Sequence, residues 1–103
     1  MNTQIYEQIC QLKRQILPNE KVILFGSQAR GDEREESDWD LLILLNKPKS
    51  ESDDFDNYGY PFTEMGWNYG TCILPIIYTV NEWEMSKPSL FSENVKQDGI
   101  EII

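Results

Sequence analysis

Apolar residues occur along this chain at two kinds of spacing, one helical and one continuous. Near the start, four of them are separated by four, three and four positions, which is the pattern of one apolar face on an amphipathic helix. They are Ile5, Ile9, Leu12 and Ile16. We therefore predict a helix from residue 3 to about residue 17, with Thr3 as its N-cap and Pro18 just beyond its end.

Two short continuous apolar runs follow, at residues 22–25 and 41–45, and polar or turn-forming residues bound both of them. The first strand is predicted over residues 21–25. This pattern is typical of buried strands. We place the start of the second strand near Asp38. The end of the first strand and the start of the second meet only if the two strands are antiparallel neighbours, with the intervening residues looping over that end of the sheet.

The residue pattern in the second half of the chain predicts one more strand and several helices. Residues 47–57 are acidic and polar and indicate a mobile surface loop. Helical spacing returns at Pro61, which suits a first helical turn, and Gly70 is a natural stop. Residues 72–80 form a third strand, whose Pro75 must lie at the strand start or on a sheet edge.

The last quarter of the chain predicts two short helices. Asn81 and Glu84 have the spacing of a capping box, and a final helix covers about residues 89–97. Gly99 ends this helix, and the apolar tail behind it packs on the domain or on a partner. The predicted fold is a single α+β domain over residues 1–103, with a small mixed sheet and helices packed mainly on one face.

Composition narrows the classes of partner and compartment. The chain has 18 acidic and 9 basic residues, a formal charge of −9, which argues against a nucleic-acid polymer as its main partner. It does not exclude a nucleotide, whose charge arrives with its metal ion. Cys10 and Cys72 have no metal-ligand spacing, and no apolar run reaches the length of a membrane span. A cytoplasmic protein is the expectation, and a homo-oligomer is one possible state.

The residues with the clearest candidate chemistry are Asp38 and Asp40, at the head of the second strand. Side chains alternate along a strand, so both carboxylates face one side, with Cα atoms roughly 6.5 Å apart, while Trp39 faces the other. Two like charges about 4 Å apart repel by roughly 4 kcal/mol at an effective dielectric near 20. A hard divalent cation removes that cost, and Mg²⁺ is usually held by one or two carboxylates, waters and phosphate.

A second feature supports a phosphate site. Gly26 and Ser27 follow the first strand directly, and a glycine there lets backbone N–H groups approach an anion. Arg30 and Arg34 lie just beyond, with guanidinium groups suited to phosphate oxygens. Taken alone, an Asp-X-Asp pair is usually a solvated edge and a Gly-Ser pair is usually a turn. Their combination on two neighbouring strands is far more specific.

This combination resembles the nucleotidyltransferase superfamily related to the DNA polymerase beta palm. Within it, the segment is similar to the minimal nucleotidyltransferases of bacteria and archaea, whose signature is Gly-Ser, ten residues, then Asp-X-Asp. The signature covers about a fifth of the chain. The matching residues are Gly26-Ser27, Ala29-Arg30-Gly31, Ser37 and Asp38-Trp39-Asp40.

The resemblance implies transfer of a nucleoside monophosphate from a triphosphate, most simply AMP from ATP, to a hydroxyl, with release of pyrophosphate. Asp38 and Asp40 are then the catalytic and Mg²⁺-binding residues, and Gly26, Ser27 and Arg30 hold the β- and γ-phosphates. Many members of the superfamily have a third carboxylate on the next core strand. The predicted third strand has none, and Glu64 or Glu82 are the nearest substitutes in sequence.

The resemblance also implies a partner. In this family small members are often paired with a helical protein of the HEPN class, and some act as antitoxins that adenylylate the HEPN toxin on tyrosine. Two alternatives remain open. One is a catalytically weak or inactive module that binds the same partner, and the other is a small-molecule nucleotidyltransferase of the aminoglycoside-modifying kind that needs a second subunit.

Overall fold

The computed structural model describes residues 1–32 and 37–103 and contains one four-stranded sheet with helices on both faces. A short π-helical turn, Phe55–Gly59, leads into the third helix. The other elements, in chain order, are α1 (Thr3–Ile16), β1 (Lys21–Phe25), α2 (Ser27–Arg30), β2 (Trp39–Leu45), α3 (Tyr60–Asn68), β3 (Ile73–Thr79), α4 (Val80–Met85), α5 (Leu90–Asp98) and β4 (Ile100–Ile102).

The sheet is mixed, as predicted, and its strand order is β3-β2-β1-β4. β1 and β2 are antiparallel neighbours, which confirms the predicted relation, while β2 and β3 are parallel. β4 is an additional strand. The apolar tail pairs antiparallel with β1, with Leu24 opposite Ile100 and Val22 opposite Ile102. Three residues are too few to show the alternation by which a strand is recognised in a sequence.

Two apolar clusters lie on opposite faces of the sheet, and the larger one agrees with the prediction that helices pack mainly on one face. On that face α1 and α3 cover the odd-numbered side chains of β2 and the even-numbered ones of β1, around the buried Trp39 and Phe62. On the other face α4 and α5 cover Leu42 and Leu44, with Val95 of α5 packed against them. Asp40 belongs to this second face, because side chains alternate along β2.

The helix ends differ from the prediction at two places. α1 is capped by Asn2, whose Oδ1 accepts from the Ile5 N–H at 3.1 Å, and not by Thr3. The capping box of α4 consists of Thr79 and Glu82, not of Asn81 and Glu84. Both shifts are of one or two residues toward the N-terminus. Asn and Thr are both good caps, so composition alone does not decide which one is used.

β3 forms one outer edge of the sheet, and the backbone groups that it turns outward leave few hydrogen bonds unsatisfied. The Trp39 N–H donates to the Cys72 carbonyl at 2.9 Å, so alternate residues of β3, including Pro75, turn their backbone groups away from β2. Proline has no N–H to leave unsatisfied there, and the edge is one of the two positions that were predicted for Pro75. The Thr63 hydroxyl donates to the Ile73 carbonyl at 3.3 Å. Among the described residues, no helix combines the length and apolar character needed to cross a bilayer.

The acidic segment after β2 is not simply a solvated surface, as its composition suggested. Asp54 is buried, with 4% of its surface exposed, and its Oδ1 accepts from the Lys47 Nζ at 2.5 Å. Its Oδ2 accepts from the Glu51 N–H at 2.7 Å. Burial raises the pKa of Asp54, but these two hydrogen bonds outweigh it and hold the pKa below its ordinary value.

We expect Asp54→Asn to lower the free energy of unfolding by about 1–3 kcal/mol at neutral pH. It removes the charged acceptor of the Glu51 N–H and one of the two carboxylates that Lys47 contacts, the other being that of Glu51. The stabilisation by Asp54 is present above the pKa of the carboxylate in the unfolded chain, about 3.9. It is lost as the pH falls through the lower pKa of the folded state. Urea unfolding at neutral pH and near pH 2 measures both effects.

Asp53→Asn is the matched control for this change, because Asp53 is the exposed neighbour of Asp54. It should leave the free energy of unfolding within about 0.5 kcal/mol of the unmodified protein. An equal loss of stability in both variants would contradict a special role for the Lys47–Asp54 pair.

Candidate active site

The two halves of the predicted site meet at one end of the sheet. Phe25, the last residue of β1, lies directly opposite Asp40 in the antiparallel register, and Gly26 follows at once. The contact is so close that a Cβ on Gly26 would overlap the Asp40 Oδ2 atom and lie 3.3 Å from its Cγ. The Gly-Ser bend and the carboxylate of Asp40 therefore occupy one site, although fourteen positions separate Gly26 from Asp40 along the chain.

The two aspartates occupy different environments on the same side of β2. Asp38 precedes the strand and is exposed, whereas Asp40 is partly buried. Between them Trp39 is 1% exposed and anchors the strand in the opposite core. Burial and the negative charge of Asp38 raise the pKa of Asp40, and the nearby Arg30 offsets part of that rise. The site thus holds closely spaced negative charge that a cation would stabilise.

The backbone at Gly26 has φ 80° and ψ −159°, a conformation that is essentially restricted to glycine. It turns the chain from β1 directly into the short helix α2. Within this turn the Arg30 N–H donates to the Gly26 carbonyl at 3.1 Å, and the Gly31 N–H donates to the Ser27 carbonyl at 3.0 Å. The N–H groups that begin a helix have no acceptor inside it, so those at Ser27 and just after it are candidates for contact with an anion.

Arg30 lies at this end of the sheet with carboxylates on two sides. Its Nε donates to Asp32 Oδ2 at 3.2 Å, and its Nη1 lies 3.5 Å from Asp98 Oδ2. These contacts raise the pKa of the Arg30 guanidinium above its usual range, and the contact with Asp32 has the larger effect. The assignment of Arg30 to phosphate stays a prediction. The other predicted phosphate residue, Arg34, and the acidic Glu33, Glu35 and Glu36 lie outside the described residues.

A sequence model of the nucleotidyltransferase domain matches residues 4–98. This chain belongs to the nucleotidyltransferase domain family. Nucleotidyl transfer is accordingly its general activity, and the α+β fold with its mixed sheet is that of related solved proteins. The signature residues around the Gly-Ser bend and the two aspartates lie within the matched range.

Three relatives of this nucleotidyltransferase are informative. A protein of Methanocaldococcus jannaschii, named "Putative protein adenylyltransferase MJ0604", is 37% identical over 79 residues, which cover 77% of this chain and 73% of that protein. A crystal structure of a toxin–antitoxin with AMP-PNP aligns with a TM-score of 0.66 at 15% identity, covering 100% of this chain and 73% of the other.

The third relative is the toxin–antitoxin MntA-HpeT, solved as a mutant in which two aspartates two positions apart are changed to glutamate. It aligns with a TM-score of 0.63 at 12% identity, covering 95% of this chain and 71% of the other. At these identities the two crystal structures establish a shared fold with the nucleotidyltransferase.

Sequence reasoning missed three residues at the site of this nucleotidyltransferase. Cys72, just before β3, lies beside the aspartates; burial and the charges of Asp38 and Asp40 raise the pKa of its thiol.

The second residue is Gln28, which is 6% exposed. Its Nε2 donates to the Ser37 carbonyl at 3.1 Å, and this bond fixes the chain just before Asp38. Asp98 contacts Arg30. None of the three carries a sequence signal, because each is brought in by strand pairing or helix packing.

The structure provides neither of the proposed substitutes for a third carboxylate. Glu82 accepts from the Thr79 N–H at 2.8 Å and from the Ser50 hydroxyl at 3.1 Å. It therefore caps α4 after the far end of β3, away from the two aspartates. Glu64 is on α3, which packs on the opposite face of the sheet. In the part of the chain that is described, no group of three or more acidic or cysteine side chains is placed to hold a metal ion.

Proposed function

We propose that this nucleotidyltransferase transfers AMP from ATP to a hydroxyl on a partner protein and releases pyrophosphate. The observation that carries the proposal is the close contact between Gly26 and the Asp40 carboxylate. It places the backbone that could hold a triphosphate against the carboxylate that could hold its metal ion. The same contact accounts for the requirement for glycine at position 26.

The residues at this site fit Mg²⁺. Asp38 and Asp40 supply two oxygen ligands on one side of β2. Burial, and then the charge of Asp38, raise the pKa of Asp40, and Arg30 lowers it. Proteins usually bind Mg²⁺ through one or two carboxylates, and waters and phosphate oxygens complete its coordination shell. Bound there, the ion would neutralise charge on the triphosphate and lower the pKa of the attacking hydroxyl.

The chain's own groups have separate roles in this proposal. The N–H groups of Gly26 and Ser27 and the Ser27 hydroxyl bind the β- and γ-phosphates, and the positive φ at Gly26 permits the backbone to approach them. Arg30 lies one helical turn further and adds a positive charge on the same side. Gln28 holds the segment before Asp38 in place through its bond to Ser37.

The relatives support a protein as the acceptor. One is named as a protein adenylyltransferase, and two solved neighbours are toxin–antitoxin complexes, one of them with AMP-PNP. We propose that the acceptor is a tyrosine on a small helical protein of the HEPN class, with this chain as the antitoxin in the cytoplasm. The alternative is a non-catalytic module that binds the same partner.

Incubation with ATP labelled at its α-phosphate, Mg²⁺ and the co-expressed HEPN-class protein tests this proposal. We expect label on the partner, removal of that label when its acceptor tyrosine is changed to phenylalanine, and no labelling when EDTA is present. A stable complex without label would favour the binding module. Label on a free aminoglycoside, but on no protein, would favour a small-molecule transferase.

A further inference from the structure

Two exposed apolar side chains lie beside the aspartates on the same face of the sheet. Leu74 is directly opposite Asp40 in the parallel register of β2 and β3, and Ile76 is directly opposite Leu42. Residues opposite each other in neighbouring strands point to the same face. Leu74 is 42% exposed and Ile76 is 37% exposed. We call these two side chains the β3 shelf.

Among the described residues, the β3 shelf is a part of this face that the helices leave open. Over β1 and the far half of β2, the same face is covered by α4 and α5, which bury Leu42 and Leu44 against Val95. Leu74 and Ile76 do not belong to that cluster or to the one on the other face. The shelf is therefore an accessible apolar surface one strand, about 4.8 Å, away from the catalytic carboxylates.

The strand order indicates which of the two substrates, the nucleotide or the acceptor, lies next to this surface. The Gly-Ser bend follows β1, the two aspartates begin β2, and the shelf is on β3, so the aspartates lie between the bend and the shelf. In phosphoryl and nucleotidyl transfer, the attacking and leaving oxygens lie roughly in line on opposite sides of the reacting phosphorus. If pyrophosphate leaves on the β1 side, the hydroxyl must arrive from the β3 side.

We propose that the β3 shelf binds the acceptor, and that the acceptor is a polypeptide segment with apolar side chains next to its hydroxyl residue. This inference rests on the proposed function. The acceptor oxygen forms a bond to the α-phosphorus, the bond from that phosphorus to the oxygen bridging to the β-phosphate breaks, and pyrophosphate leaves. The hydroxyl proton passes to water.

An apolar shelf selects among hydroxyl acceptors by burial. Apolar side chains that flank a tyrosine gain free energy by covering Leu74 and Ile76. An aminoglycoside is polar and cationic over most of its surface and gains nothing there. The shelf thus accounts for a protein acceptor through two residues that lie on the other side of the aspartates from the Gly-Ser bend.

Two capped tripeptides test this inference, one with tyrosine between leucines and one with tyrosine between serines, each supplied with Mg²⁺ and ATP labelled at the α-phosphate. We expect kcat/KM for labelling to be about tenfold higher with leucines, the equivalent of roughly 1.4 kcal/mol of partial burial. The double variant Leu74→Thr with Ile76→Thr should reduce that preference to about twofold or less. Its release of AMP from ATP with water as the acceptor should stay unchanged.

The matched control replaces Met85 and Leu90 by threonine. These residues are 84% and 80% exposed but lie on α4 and α5, outside the shelf. The control should keep the tenfold preference, and thermal unfolding confirms that both variants fold.

Three results would each overturn the inference and leave the proposed function standing. They are equal labelling of the two peptides by the unmodified protein, AMP release with neither peptide labelled, and loss of AMP release in the folded shelf variant. No AMP release and no labelling at all would overturn both.

Discussion

Asparagine at both position 38 and position 40 should lower the rate of nucleotidyl transfer by at least about 10³-fold. Asn keeps the shape of Asp but removes the negative charge, and a divalent cation contributes several kcal/mol to such a reaction, with each 1.36 kcal/mol equal to a factor of ten. The pair should act together, since Asp40 contacts the Gly-Ser bend and the charge of Asp38 acts on Asp40. Single-turnover labelling with α-labelled ATP measures the loss.

The fold of this double variant should be intact. The pKa of Asp40 is raised in the folded protein, so its ionised form is disfavoured there, and above its unfolded pKa that charge costs stability. Removing it should leave the free energy of unfolding without metal unchanged or higher at neutral pH. A loss of activity that accompanies unfolding would therefore not be evidence for metal binding.

Asp53→Asn together with Asp56→Asn is the control, because both residues are exposed and distant from the Gly-Ser bend in the fold. It changes the net charge by the same amount. We expect full transfer activity. If the variant at positions 38 and 40 retains activity equal to this control, then those two aspartates do not bind the metal ion that transfer requires.

Gly26→Ala should reduce transfer by at least about 10²-fold and lower the free energy of unfolding by about 1–3 kcal/mol. The stability loss comes from the backbone, which has φ 80° and ψ −159°, a region that side chains other than that of glycine rarely adopt. The activity loss comes from the new methyl group, which would displace the Asp40 carboxylate that it overlaps. A displacement of about 1 Å can cost that much in rate.

Gly70→Ala separates these two effects. Gly70 also has a positive φ of 71°, but a Cβ there would meet nothing within 4 Å, and the residue follows α3, on the other face of the sheet from Asp40. We expect a loss of stability of about 1 kcal/mol with unchanged transfer activity. If Gly26→Ala loses no more activity than Gly70→Ala, the close contact with Asp40 is not needed for transfer.

The juxtaposition of the Gly-Ser bend and Asp40 was predictable from the sequence, because it follows from strand pairing alone. The end of β1 at Phe25 and the alternation along β2 place Gly26 beside Asp40 once the two strands are antiparallel. No side-chain packing has to be known for that inference. The same local reasoning limited Pro75 to a strand start or a sheet edge and found the stop at Gly70, since each depends on a backbone property of one residue type.

The features that were missed depend on distant parts of the chain. The Arg30–Asp98 contact joins residues 68 positions apart, and it exists because α5 ends where β4 begins its pairing with β1. Asp54 was assigned to a solvated loop, since a single lysine partner cannot be identified among many charges in a sequence. The capping residues were misplaced by one or two positions because neighbouring candidates have similar propensities.

The composition of the outer edge at β3 affects how a partner can dock. Pro75 has no N–H to offer, and the Ile73 carbonyl already accepts from the Thr63 hydroxyl. A foreign strand that tried to extend the sheet there would find one donor missing and one acceptor occupied. β-augmentation is therefore disfavoured at this edge, and on this side of the sheet the architecture favours recognition by side chains on the open face, beside the carboxylates.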